Sequence, residues 1–166
     1  RYWRDWSSDV CSSDLPLFVQ KANVKSRIHR RVYLDYVGVK ILDASGRLEG
    51  ELRIIGLFTS SAYNNAARSV PYLRHKVARV IERAGFDPAS HSGKALLNVL
   101  ENYPRDELFQ VDIETLYNFS MDVLALTERP RLRALARVDR FDRFVSVMVY
   151  VPKDRYDTSA RLRIGE

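Results

Sequence analysis

Residues 32–59 read VYLDYVGVKIL, DASGR and LEGELRIIGLFT in succession, and this stretch decides the fold class. Its first and third parts are rich in β-branched and aromatic residues, which favour strands, and the segment between them is typical of a turn. The stretch therefore predicts an antiparallel β-hairpin. Gly38 and Gly56 lie inside the predicted strands, where glycine marks a bulge or a close approach of two backbones.

The segments on either side of the hairpin carry weaker signals. Leu17 to Val19 predict a short strand, and the basic stretch from Lys21 to Arg31 predicts a solvated connection to the hairpin. The residues from Ser60 to Ser69, SSAYNNAARS, are typical of a polar loop.

A helical region follows. Apolar residues recur at helical spacing along residues 71–84, with Pro71 at the first turn and Gly85 suited to a left-handed stop. Ser90 or Ser92 can cap a second helix that ends before Pro104.

The same region continues with two more helical segments. Residues 105–110 predict a short turn of helix, and Asp112 can cap a third helix over residues 113–126. Apolar residues occupy most of the circumference of this third helix, which predicts that it is well buried.

After Pro130 the apolar period shortens from about 3.6 residues to about 2. Residues 131–138 predict a strand with one mostly basic face, and residues 143–151 predict its partner, joined through the turn at residues 139–142. Apolar residues on both faces of the second strand indicate cover on two sides. Asp157 or Thr158 opens a last helix that we expect to be cut short. The order of hairpin, helices and hairpin predicts an α+β protein.

Composition excludes several classes of protein. The 166 residues include 27 basic and 21 acidic side chains, 46% hydrophobic residues and one cysteine. Enough apolar surface is present to fold, so collagen-like, low-complexity and wholly disordered chains are excluded. No run approaches the roughly 18 apolar residues of a bilayer crossing, and no leader pattern opens the chain. We therefore expect a cytoplasmic protein that does not enter membranes.

The first fifteen residues, RYWRDWSSDVCSSDL, differ from the rest in composition. They hold both tryptophans, the cysteine and four serines, and they resemble a translated sequencing adapter. A native disordered N-terminus is the alternative. Without this tail, whose net charge is −1, the remainder carries +7 and has no cysteine, so a cysteine nucleophile, zinc ligand or redox pair is excluded.

Motifs for catalysis are absent from the sequence. Neither G-x-G-x-x-G nor G-x-x-x-x-G-K-[ST] occurs, and no serine stands in a G-x-S-x-G context. The histidines, His29, His75 and His91, have no spacing typical of a metal site, so we predict no metal. The acidic pair Asp106 and Glu107 lies in a helix first turn, where negative charge is favourable without any catalytic role.

Positive charge is the strongest remaining signal. It is carried by the outer side of the first long helix and by the second hairpin: Arg74, Lys76, Arg79, Arg83, Arg129, Arg131, Arg133, Arg137, Arg140 and Arg143. Such a face can bind nucleic acid. Interspersed acidic residues favour instead a solvated face or a protein contact, and a basic pocket for a small carboxylate is a third alternative.

Four ordered motifs resemble one enzyme family. They are RIHRRVYLDYVGVK (27–40), GLFTSSAYN (56–64), LRHKVARVIERAGFDPASHSGKALLNVLENYPRDELFQ (73–110) and VYVPKDRYDT (149–158). Together they resemble the N-terminal regulatory part of the large bacterial NAD-specific glutamate dehydrogenases. The resemblance implies two antiparallel β-hairpin modules, PAS-like or ACT-like, joined by a three-helix linker and truncated at both ends.

The resemblance also implies domain bounds and partners. Residues 16–69 would be the β-rich end of a PAS-like or ACT-like module, 70–128 a helical linker and 129–166 the start of an ACT-like module. The catalytic groups and the NAD site would lie elsewhere in the parent chain, so no catalytic, cofactor or metal residue is assigned here. Expected partners are the rest of that chain, further copies of it and an amino-acid effector.

Three arginines are the candidates for an effector or interface site. Arg131, Arg133 and Arg137 share one face of the predicted strand, with Leu135 between the last two, so an exposed row could hold a carboxylate through paired hydrogen bonds. A solvated strand face is the alternative.

Overall fold

The computed structural model describes residues 16–28, 31–140 and 142–165, and the chain divides into two compact units between Asn65 and Ala66. The predicted N-terminal tail, His29 and Phe141 lie outside the described residues. The architecture is α+β with antiparallel strands, as predicted.

The first unit contains a three-stranded antiparallel sheet in the order β1-β2-β3. Its strands are β1 (Leu17–Lys25), β2 (Tyr33–Leu42) and β3 (Leu48–Gly56), followed by the short helix α1 (Ser60–Asn64). The predicted hairpin is confirmed as β2 and β3. Strand β1 is longer than predicted, because the basic stretch continues its pairing with β2 as far as Lys25.

One face of this sheet is packed and the other is largely aliphatic. Phe18, Ala22 and Tyr36 are buried together, and the rings of Phe18 and Tyr36 stack with centroids 5.7 Å apart. The ring of Phe18 lies over Gly38, where an added Cβ would meet it at 2.3 Å, whereas nothing lies within 4 Å of a Cβ added at Gly56. The prediction of a bulge or a close backbone approach at these glycines is therefore wrong: Gly38 makes room for a ring, and both glycines pair in regular register. On the opposite face Leu52 and Ile54 are exposed.

The second unit begins with four helices. A 3-10 turn (Ala67–Ser69) leads into α2 (Pro71–Ala84), and α3 (His91–Glu101), α4 (Arg105–Gln110) and α5 (Ile113–Glu128) follow. The predicted ends of α2 are confirmed: Pro71 is in the first turn and Gly85 is left-handed with φ of 65°. Of the two candidate caps of α3, Ser90 accepts the hydrogen bond, and Asp112 caps α5 as predicted.

A second hairpin completes the unit. Strands β4 (Arg133–Val138) and β5 (Val145–Tyr150) pair antiparallel, with Leu135 opposite Met148 and Arg137 opposite Ser146. A 3-10 turn (Lys153–Arg155) and α6 (Thr158–Gly165) follow. The predicted strands and last helix are therefore confirmed.

Two predictions about elements are wrong. Residues 60–69 are not a loop throughout, because α1 and the 3-10 turn form there. The carboxylate of Glu101 accepts a hydrogen bond from the backbone N–H of Ala67 at 2.6 Å, a contact between distant parts of the chain. Helix α5 is less buried than predicted, since only Leu116 and Ser120 among its residues are fully buried.

Candidate functional site

The second hairpin has its charged face inward and an aliphatic face outward. Leu135 is buried between Arg133 and Arg137 on the inner face. The outer face, which we call the aliphatic face, consists of Ala134, Ala136, Val138, Val145, Val147 and Val149. Val145 and Val147 are 57% and 55% exposed. The prediction that β5 is covered on both sides is therefore wrong for the described residues.

Arg137 joins the hairpin to helix α4. Its guanidinium donates from Nε to Glu107 Oε2 at 2.9 Å and from Nη2 to Oε1 at 3.0 Å. Both side chains are only 10% exposed. Burial alone would lower the pKa of Arg137, but the hydrogen bonds and negative charge of Glu107 raise it above its usual value. This fork-to-fork geometry gives a directional, charge-assisted contact.

The other two candidate arginines are placed differently. Arg133 Nη2 donates to Asp122 Oδ2 of α5 at 2.7 Å, in a pair that is more than two-fifths exposed on both sides. Arg131 precedes β4 and is exposed. The three residues thus do not form one exposed row: two of them already hold carboxylates of the helices. Their role toward an effector stays a prediction.

Lys76 lies inside the second unit, although it was predicted on the outer side of its helix. It is 6% exposed, and its Nζ donates to the carbonyl oxygens of Leu108, Phe109 and Val111 at 3.0, 2.7 and 2.7 Å. These carbonyls belong to the last turn and C-cap of α4, where a helix leaves acceptors without internal partners. Burial lowers the pKa of Lys76 to about 7.

Two tyrosines border the same region. Burial and the charge of Glu107 raise the pKa of Tyr103, and burial raises that of Tyr150. The hydroxyl of Tyr103 is buried without a hydrogen-bond partner among the described residues. Arg137, Glu107, Lys76 and Tyr103 therefore form a buried polar cluster between the helices and the hairpin.

Half of the ten residues of the predicted basic faces pair with carboxylates of the same chain. Five of these arginines pair with carboxylates: Arg79 with Glu82, Arg83 with Glu114, Arg133 with Asp122, Arg137 with Glu107 and Arg143 with Asp139. A protein that binds phosphates needs cations that are available to them. The pairing therefore favours the predicted protein contacts over a nucleic-acid surface.

No metal-binding cluster is found in the part of the chain that the structure describes, where three or more histidine, cysteine, aspartate or glutamate side chains would have to converge. His75 and His91 are exposed on α2 and α3. Across the same residues, every helix is too short or too polar to cross a bilayer.

Comparison with known proteins matches two segments of the second unit to family models. Residues 70–129 match the family model described as glutamate dehydrogenase, helical motif 1, and residues 133–166 match glutamate dehydrogenase, ACT2 domain. The chain belongs to the NAD-specific glutamate dehydrogenase family. The first match covers α2 to α5 and the second begins at the first residue of β4, so the Arg137–Glu107 pair connects the two matched segments.

Relatives in three bacteria carry the name NAD-specific glutamate dehydrogenase. The protein of Halomonas elongata is 46% identical over 85% of this chain, that of Pseudomonas aeruginosa 44% over 88%, and that of Mycobacterium tuberculosis 35% over 70%. The chain spans only 9% of the length of the first two relatives and 7% of the third. It therefore corresponds to a small segment of these dehydrogenases.

Sequence reasoning missed the two residues that the structure places at the centre of the cluster. Glu107 was predicted only to favour a helix start, and its partner lies 30 positions further along the chain. Lys76 stands next to Val77 of the apolar stripe, and this position at the edge of the stripe is the one local signal that could have indicated burial.

Proposed function

We propose that the chain is a non-catalytic regulatory and oligomerisation segment of an NAD-dependent glutamate dehydrogenase. The whole enzyme would convert L-glutamate, NAD and water into 2-oxoglutarate, ammonium and NADH, with its catalytic groups and NAD site outside these 166 residues. The observation that carries the proposal is the pair of matched segments, a helical motif and an ACT2 domain, which follow each other and are joined through Arg137 and Glu107.

The residues of the segment support a non-catalytic role. Hydride transfer requires a site that orients the nicotinamide against the substrate. The sequence has neither of the common glycine-rich phosphate-binding patterns, and in the buried polar cluster Arg137 pairs with Glu107 while Lys76 donates to backbone carbonyls. We therefore assign no catalytic, cofactor-binding or metal-binding residue to it.

The proposed regulatory role concerns the ACT2 segment. An effector shifts an enzyme between states only through different affinities for those states. Arg131, Arg133 and Arg137 stay the candidates for an effector or interface site. The interface role is supported for Arg133 and Arg137 by their pairs with Asp122 and Glu107. An effector carboxylate at Arg137 would have to compete with Glu107.

The proposal also covers the location, assembly and domain bounds of the segment. We place it in the cytoplasm, as part of a longer chain that assembles with further copies of itself. We keep domain bounds at 16–69, 70–128 and 129–166, with the first segment the end of a PAS-like or ACT-like module. The bounds at 70 and 129 are supported by the ends of the helical-motif match.

A turnover assay tests the non-catalytic role. The purified chain is mixed with NAD and L-glutamate, and NADH is followed by its absorbance, with a full-length relative from Pseudomonas aeruginosa as positive control. We expect no NADH from the chain. Measurable turnover would show that reactive groups lie in this segment and would overturn the proposal.

A binding experiment tests the regulatory role. Free amino acids are titrated against the chain, and the shift of its melting temperature is measured beside that caused by random oligonucleotides. We expect a shift with at least one amino acid and none with oligonucleotides. Oligonucleotide binding that weakens steeply with salt would favour a nucleic-acid module instead.

A further inference from the structure

Helix α4 is held at both ends by buried cations from different elements. It has only six residues, yet Arg137 of β4 reaches its first turn and Lys76 of α2 reaches its last turn. The side-chain contacts of α4 therefore connect the hairpin with α2, which are separated in the chain by α3 and α5.

Helix α4 contacts the hairpin through one of its own side chains. Glu107 presents both carboxylate oxygens to the guanidinium of Arg137, at 2.9 and 3.0 Å. Because Glu107 is itself buried, a movement of β4 that broke these bonds would leave an unpaired buried carboxylate. Uncompensated buried charge is strongly unfavourable, so Arg137 and α4 are expected to move together.

Helix α4 contacts α2 through its own backbone carbonyls. In its protonated form Lys76 has three N–H donors, and three carbonyl oxygens lie 2.7 to 3.0 Å from its Nζ to accept them. The ring of Tyr72, one turn earlier in α2, stacks on the ring of Phe109 with centroids 6.4 Å apart. The Lys76 Nζ lies 4.8 Å from the centroid of the Tyr72 ring. Both contacts fix the end of α4 against α2.

A hydrogen bond inside α4 links the two contacts. The carbonyl of Glu107 accepts the N–H of Val111 at 2.8 Å, and the carbonyl of Val111 accepts the Lys76 ammonium. The path from Arg137 to Lys76 is therefore continuous. Arg137 and Glu107 are also close enough to Lys76 to affect its pKa. Burial is the largest influence on this pKa, and the charges of Asp112, Arg137 and Glu107 follow.

We propose that α4 is a relay through which the β4–β5 hairpin and helix α2 are energetically coupled, carried by the Arg137–Glu107 pair and the carbonyl cradle of Lys76. Any regulatory use of this relay by an ACT2 effector rests on the proposed function. The coupling itself does not, because it is a property of contacts within this chain.

A double-mutant cycle on the 166-residue chain tests the relay. Arg137→Lys keeps the positive charge but removes the planar fork, and Lys76→Met removes the ammonium. Urea unfolding of the original chain, both single variants and the double variant is followed by the helical circular dichroism signal, at a pH below the Lys76 pKa of about 7. We expect the effects on the unfolding constant to depart from additivity by at least about three-fold.

The matched control is Arg133→Lys, the same change on the neighbouring arginine, whose carboxylate partner lies on α5. Its cycle with Lys76→Met should be additive. Additive effects in the Arg137 cycle, or equal coupling in both cycles, would overturn the relay.

A second measurement covers the case in which the double variant does not fold. The NMR resonances of the Lys76 side chain and of the Val111 amide are compared in the single variants Arg137→Lys and Arg133→Lys. We expect both resonances to move only in Arg137→Lys, and unchanged resonances would overturn the relay. Turnover of glutamate by the chain would contradict the proposed function but leave the relay intact.

Discussion

Gly93, in the first turn of α3, is required by a close backbone approach. A Cβ at this position would lie 2.2 Å from the carbonyl oxygen of Asp87, which also accepts hydrogen bonds from the N–H and hydroxyl of Ser90. Alanine normally favours helix. We nevertheless expect Gly93→Ala to lower the free energy of unfolding by about 1–3 kcal/mol, because backbone must move.

Gly50→Ala is the control for this variant. No atom lies within 4 Å of an added Cβ at Gly50, so its effect in urea unfolding should be small. Equal stability of Gly93→Ala and the original chain would contradict the steric account of α3.

The buried amine of Lys76 makes stability depend on pH. Its pKa is lowered from 10.5 to about 7 in the folded chain, first of all by burial. Between these values the unfolded chain binds more protons than the folded one, so the free energy of unfolding rises with pH. The slope contributed by one such group is at most about 1.4 kcal/mol per pH unit.

Lys76→Met isolates this contribution. Urea unfolding of the original chain and the variant is measured between pH 7 and pH 10, and we expect the rise with pH to be smaller in the variant. All other titrating groups are shared by the two proteins. Parallel pH profiles would show that Lys76 does not change its protonation in this window.

At the scale of single elements, the cap of α3 can be tested with neighbouring serines. The Ser90 Oγ accepts the N–H of Gly93 at 3.0 Å, whereas Ser92 is exposed within the helix. Ser90→Ala should lower the free energy of unfolding by about 1 kcal/mol. Ser92→Ala should be neutral or slightly stabilising because alanine is the better helix former. The reverse order in thermal melts would assign the cap to Ser92.

Helix bounds were predictable because their signals are local. Pro71, Gly85, Ser90 and Asp112 act on the backbone within one turn of their own position, so a single sequence contains the information. The β2–β3 hairpin was predictable for the same reason, since its turn and its strand residues are contiguous.

Other features were not predictable because they depend on distant residues. The 3-10 turn at Ala67 is stabilised by the Glu101 carboxylate, and the orientation of β4 by Glu107. Alternation along a strand shows that two faces differ but does not show which face is covered. The candidate arginines were found by their spacing, while their carboxylate partners and the burial of Lys76 required the fold.

At the scale of the whole molecule, we expect this chain to self-associate through the aliphatic face. Exposed apolar patches favour association, and Val145 and Val147 lie side by side with the valine and alanines of β4. Val147→Lys should reduce the molar mass measured by light scattering at high protein concentration, because it places a charge in the middle of this face.

Thr127→Lys is the control, since it adds the same charge at an exposed position of α5. It should leave association unchanged. A monomeric original chain, or equal association of the chain carrying Val147→Lys, would exclude the aliphatic face as the contact surface.

The brevity of α4 has a consequence for how its conformation is maintained. A six-residue peptide is far below the roughly 12 residues at which an isolated helix becomes even marginal in water. The helical conformation of Arg105–Gln110 is therefore stabilised by its contacts with Arg137 and Lys76. A synthetic peptide of this sequence should be a random coil. Loss of either contact should be detected first as faster deuterium uptake at the amides of α4 and as new protease cleavage between α3 and α5.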